Sequence, residues 1–174
     1  MIPVDPGRRL VLLRHAKSAW PHGVPDHERP LAGKGRRNAQ AVATWFIDEG
    51  PVPDLALCSD ALRARHTWEL VCAALPAPVP SRMVPGLYGA HPQDLLDLLH
   101  TVATTVHALV VIGHEPTMSE TTLLLAGPGS DPTALARVAA KYPTNGVASF
   151  RVAGPWAGLA AGGAVLETFS VPRA

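Results

Sequence analysis

Leu10-Val11-Leu12-Leu13-Arg14-His15-Ala16-Lys17-Ser18-Ala19-Trp20 decides how this chain is read. Four consecutive aliphatic residues predict a short buried strand, and the run stops on a guanidinium beside an imidazole. Ligands of open α/β sheets bind outside the carboxyl ends of the strands, so Arg14 and His15 stand where a nucleophile and its anion clamp would stand.

Working outward, strand-like runs alternate with helical patterns. Residues 35–49 carry apolar side chains at Ala39, Val42, Ala43, Phe46 and Ile47, a helical spacing closed by Gly50 and Pro51. Leu55-Ala56-Leu57-Cys58 reads as a second strand, followed by a helix capped by Ser59 or Asp60 and running through Leu75. Pro76, Pro78 and Pro80 then make a stiff connector. Residues 94–106 predict a further helix. Ala108-Leu109-Val110-Val111-Ile112 is a third strand, stopping at Gly113-His114-Glu115-Pro116 with a helix behind it. Ser130 or Asp131, with Pro132 in the first turn, opens a helix to about Tyr142. Residues 147–152 and 165–171 are β-prone and joined by a Gly- and Ala-rich link, which predicts an antiparallel pair at one sheet edge. Residues 21–30 read as a polar, mobile loop.

The fold class expected is α/β: a three-layer α/β/α sandwich whose mostly parallel central sheet carries an antiparallel edge strand, with the first strand central. At 174 residues and 47% hydrophobic content, residues 1–174 are expected to form a single domain. A net charge of +1 excludes the strong positive field of a nucleic-acid binder, so any anion recognition must be local. No membrane association is expected, because the 10–13 run is far too short to span a bilayer or serve as a signal peptide, and a cytoplasmic location follows. Cys58 and Cys72 match no disulfide framework or zinc spacing and read as free, mostly buried thiols.

Three strand ends share one design. The first and third end in a histidine, while the second ends in Cys58-Ser59-Asp60 and leads to Arg63 a helical turn later. If these ends meet, Arg14, His15, Arg63 and His114 gather with only Glu115 as a nearby carboxylate. Such a cluster repels itself unless a dianion fills it, and phosphate is the dianion whose oxygens suit arginine forks. Each motif alone has a bland reading, a solvated helix face for Arg63 to His66 or a strand-terminating turn for Gly113 to Pro116. Their ordered joint occurrence carries the argument.

Leu12-Leu13-Arg14-His15-Ala16-Lys17-Ser18, Ser59-x-x-x-Arg63-Ala64-x-x-Thr67 and Val111-Ile112-Gly113-His114-Glu115-Pro116 together resemble the histidine phosphatase superfamily, also called phosphoglycerate mutase-like. Arg29-Pro30-Leu31-x-x-x-Gly35 resembles the segment before that family's first helix. The short length and the Arg-His-Ala-Lys-Ser variant are most similar to the small phosphohistidine phosphatases typified by SixA, which act on histidines of signalling proteins. The resemblance implies a hydrolase in which His15 takes the phosphoryl group, Arg14, Arg63 and His114 hold its oxygens, and Ser18 adds a contact. It implies no metal or other cofactor. On this reading His15 is neutral and attacks, while His114 stays charged or donates.

The chain departs from the family at the acid. Mutases and many ester-cleaving members carry a Glu between the Arg motif and the second His, whereas this chain reads Gly86-Leu87-Tyr88-Gly89-Ala90-His91-Pro92-Gln93-Asp94. Asp94 suits a helix cap, and Glu115 is the better candidate acid, its plain alternative being a carboxylate favoured by a helix N-terminus. An alkoxide leaving group needs a proton, worth about 10²–10⁴ in rate, while a phosphohistidine imidazole leaves with less help. The expected substrate is therefore phosphohistidine on a partner protein. A broad-specificity phosphomonoesterase acting on small phosphate esters and a non-catalytic phosphoprotein-binding module are the alternatives, as is a metal hydrolase built on His15, His22 and His27.

Overall fold

The computed structural model describes residues 7–174. A six-stranded sheet runs in the order β3-β2-β4-β1-β5-β6, with β1 Arg8–Arg14, β2 Leu55–Cys58, β3 Ser81–Met83, β4 Ala108–Gly113, β5 Val147–Val152 and β6 Ala164–Ser170. Strands β1 to β4 pair in parallel. The β5–β6 pair closes one end as an antiparallel hairpin, with β5 laid antiparallel against β1 and β6 at the rim. β1 therefore has partners on both sides, the central position expected for it.

Side chains of β1 alternate faces, as a strand requires. Leu10 and Leu12 join a core with Leu95 and Leu99 of α3 (Pro92–His100), Met118 of α4 (Thr117–Leu125) and Val138 of α5 (Pro132–Ala140). Val11 and Leu13 point the other way, into a second core with Val42 and Phe46 of α1 (Gly33–Asp48) and Trp68 and Val71 of α2 (Leu62–Ala74). Residues 10–13 are all fully buried, and a strand buried on both faces reads as an unbroken aliphatic run for this reason. Full burial of each such side chain stabilises by about 1.5–3 kcal/mol.

Local signals set several boundaries. Asp131 caps α5 by accepting from the Ala134 N–H at 2.8 Å, with Pro132 in the first turn, as expected. The cap expected at Ser59 or Asp60 is absent. α2 starts at Leu62 after Ala61, and the Ser59 hydroxyl serves the site instead. α3 spans 92–100 rather than 94–106, its end tightening into i to i−3 bonds from Thr101 N–H to Leu98 O and from Val102 N–H to Leu99 O. Directly after the proline connector Ser81–Met83 forms β3, a strand too short and exposed to leave a hydrophobic pattern.

Parallel register places the chemistry. Arg14 lies opposite Gly113 and Cys58 opposite Ile112, so β1, β2 and β4 end level. The chain continues off that edge through His15 N–H to Gly113 O (3.1 Å) and Ser59 N–H to Ile112 O (3.0 Å). Gly35 lets α1 start against this edge, since a Cβ there would sit 2.0 Å from the Lys17 carbonyl oxygen.

Candidate active site

His15, Arg63 and His114 are buried side by side at this edge, with Arg14 half-buried beside them, in a cleft of about 280 Å³ that Ser18, Arg29 and Glu115 also line. The four residues expected to converge do converge.

Backbone contacts orient His15. Its Nδ1 lies 2.8 Å from the Ala16 carbonyl, which can only accept, so Nδ1 carries the proton and Nε2 keeps its lone pair. Arg63 Nε donates to that Nε2 at 3.3 Å. The backbone around the ring is held by Thr67, whose Oγ1 accepts from Ala16 N–H at 2.9 Å while donating to Arg63 O at 2.7 Å. Asn145, in the left-handed region at φ 68°, donates its N–H to the carbonyls of Arg14 and His15. Burial first, and then His114, Arg63 and Arg14, pushes His15 down to about 3 despite the opposing Ala16 bond. A neutral imidazole with one lone pair facing cations is a competent nucleophile.

His114 lies 5.1 Å from His15 between ring centroids, and its Nε2 is 2.7 Å from Ser59 Oγ. Burial first and then the Arg63 charge push His114 down to about 4, which favours the neutral ring; of the expectation that His114 stays charged or donates, donation is the part this environment supports. Ser59 Oγ also accepts from Ala61 N–H at 3.3 Å, while the other His114 ring nitrogen, Nδ1, is buried without a partner. Donation survives without the charge. Arg14 donates Nη1 to Tyr142 O at 2.7 Å, its Nε is buried without a partner, and burial lowers its pKa.

Asp26 was missed from the sequence. The 21–30 loop, expected to be mobile, is pinned across the site by a 3-10 turn at Asp26–Glu28. Arg63 donates to Asp26 O at 2.7 Å and Oδ2 at 3.1 Å, Arg29 donates to Oδ1 at 3.0 Å, and the Tyr88 hydroxyl donates to Oδ2. The Tyr88 bond and then the two arginines hold the Asp26 carboxyl well below the usual carboxylate range. Arg29 in turn is buried, stacks 3.5 Å over the Trp20 ring and donates to Ser18 Oγ at 2.7 Å. The Asp26/Arg29 spacing of three was the available signal, masked by the proline-rich surroundings.

Glu115 lines the cleft, yet both carboxylate oxygens are engaged by Ser119, Oε1 by its N–H at 2.7 Å and Oε2 by its hydroxyl at 2.8 Å. That is the helix N-terminal role. Asp94 accepts from His91 N–H at 2.8 Å and so caps α3. His15, His22 and His27 do not converge. His27 pairs with Asp60 at 2.8 Å, and among the described residues no group of three or more His, Cys, Asp or Glu side chains is placed to hold a metal ion.

The model of the histidine phosphatase superfamily (branch 1) matches residues 10–95. An uncharacterized protein of Mycobacterium tuberculosis is 43% identical over 162 residues, covering 92% of this chain and 100% of its own length. Among solved structures, a protein of Nakamurella multipartitia provisionally named phosphohistidine phosphatase SixA superposes with a TM-score of 0.85 at 30% identity, covering 97% of this chain and 98% of its own. Its provisionally named counterpart from Agrobacterium tumefaciens gives 0.78 at 29% identity, over 95% and 99%.

Proposed function

The chain belongs to the histidine phosphatase superfamily and is a phosphatase, and on that premise we propose that it works through a phosphohistidine intermediate on His15, needs no metal, and dephosphorylates phosphohistidine on a cytoplasmic signalling protein. The observation that carries this reading is the orientation of His15: Nδ1–H is tied to the Ala16 carbonyl, and Nε2 faces the cleft's guanidinium.

In the proposed reaction Nε2 attacks phosphorus as the bond to the leaving group breaks. Arg63 Nε–H, which otherwise rests on Nε2, turns its hydrogen bond onto a phosphoryl oxygen without giving up its proton, and Arg14 Nε and His114 Nδ1 serve the others. Charge spreads over three equatorial oxygens in the transition state, so fixed donors supply most of the catalysis. Water then hydrolyses the phosphoenzyme, returning His15 and releasing phosphate. Ser18, whose hydroxyl accepts from Arg29, contributes through that arginine. With no Glu in residues 86–94 and with Glu115 engaged by Ser119, an imidazole leaving group suits the site better than an alkoxide.

Quenching the enzyme during turnover tests the intermediate. The expected product is protein-bound phosphate that is labile in acid and stable in base, and absent from His15→Ala. No trapped phosphate with any substrate would count against the mechanism. A side-by-side comparison of kcat/KM on a phosphohistidine protein and on small phosphate esters tests the substrate, and a clear preference for esters would establish the phosphomonoesterase alternative.

A further inference from the structure

A second cleft, of about 440 Å³, opens beside the first and shares Arg14, Lys17 and Thr144 with it. Its other cations are Lys34, Lys141 and Arg173. The chain has only three lysines, at 17, 34 and 141, and all of them line this cleft. They come from three separate places in the fold, the segment after β1, the first turn of α1 and the residue after α5, so sequence proximity does not explain their meeting. Among the described residues no carboxylate forms a salt bridge with any of the five cations. Arg14 and Arg173 rest on backbone carbonyls of Tyr142, Thr144 and Pro172. Lys+Arg and Asp+Glu number 15 and 14 over the chain, so this cleft concentrates an excess that the near-neutral total conceals.

We infer that this cleft seats carboxylates of an acidic segment flanking the phosphohistidine, so that the enzyme selects phosphohistidines lying in acidic sequence. The inference rests on the phosphohistidine reading above and names the substrate class it takes. The type of cation favours carboxylates on a polypeptide. The phosphoryl cleft offers the planar, directional guanidiniums of buried Arg63 and half-buried Arg14, which suit a tetrahedral dianion, whereas Lys17, Lys34 and Lys141 are exposed, flexible point charges that hold a loosely placed anion. Position agrees. A phosphohistidine ring that reaches His15 through the smaller cleft leaves its own backbone at the rim, where Arg14, Lys17 and Thr144 lead into the larger one.

Two peptides phosphorylated on a single His test the inference, one with Asp and Glu within four residues of it and one with Asn and Gln instead. The acidic peptide should show a kcat/KM about five-fold higher at low ionic strength, carried by KM, and the gap should close near ~1 M salt. In Lys34→Gln/Lys141→Gln the preference should be lost, with para-nitrophenyl phosphate turnover unchanged. Equal turnover of the two peptides by the wild type, or a preference that survives high salt or the double substitution, overturns the inference. So does a lysine-dependent preference for a diphosphorylated sugar over its monophosphate when the peptides are equal, which would assign the cleft to small polyanions. Cleavage of para-nitrophenyl phosphate with no turnover of either peptide is a different result and overturns the phosphohistidine reading itself.

Discussion

The protonation of His15 follows from where its two nitrogens are placed. With Nδ1–H on Ala16 O and the ring pushed down to about 3 by burial, the neutral form persists well below the range in which a free histidine titrates. The His15 ring resonances are therefore expected to stay unchanged by NMR from pH 8 to pH 5 in the phosphate-free enzyme, and a midpoint near the ordinary value of about 6.5 would show that the ring is not desolvated. Because only Nε2 is available, the phosphoenzyme should be the isomer phosphorylated at that nitrogen, which isomer-selective antibodies can distinguish. Arg63→Ala removes the donor that rests on His15 Nε2 and, on the proposed mechanism, should lower kcat about 10²–10³-fold with an unchanged far-UV spectrum. Near wild-type kinetics would remove Arg63 from the site. Glu115→Gln keeps one oxygen for Ser119 and should leave phosphohistidine cleavage within about two-fold, whereas a selective loss on aryl phosphates would restore Glu115 as the acid. The four convergent residues were legible because each closes or follows a buried strand or opens a helix, where pattern fixes position. Asp26 was not, because its role depends on a loop folding back onto α2, a contact with no period to read.

At the scale of elements, the aliphatic run that ends in Arg14-His15 supports the site as much as it fills the core. Leu12→Ala would leave a cavity under a strand paired on both sides, and a loss of about 2–5 kcal/mol in denaturant unfolding is expected. A loss below about 1 kcal/mol would mean that the two cores can collapse around β1. Strands β1, β2 and β4 were legible as apolar runs, and α5 from Asp131 and Pro132. The short exposed β3 and the start of α2 were not. Ser59 has the chemistry of a helix cap, but its hydroxyl is taken by a buried His114 nitrogen, a group that is costly to leave unsatisfied.

For the molecule as a whole, the buried rings of His15 and His114 bear on acid stability. His15 and His114, at about 3 and about 4, both lie below the value of about 6.5 that they would have unfolded, so the unfolded chain binds more protons in that window. Their contribution to stability is complete above about pH 6.5 and is lost as pH falls toward their folded values, at up to about 1.4 kcal/mol per pH unit for each ring. The Tm should fall between pH 7 and pH 4.5, and less steeply in His15→Gln. Identical slopes would assign the acid sensitivity elsewhere. The hairpin β5–β6 also bears on biogenesis. One flank of β1 is covered only by Val147–Val152, so a nascent chain carries an open strand edge, aliphatic from Leu10 to Leu13, until the segment at 147–152 has been made. A protein truncated before residue 147 would therefore expose that edge and aggregate, rather than persist as a shorter enzyme that still holds His15 and His114.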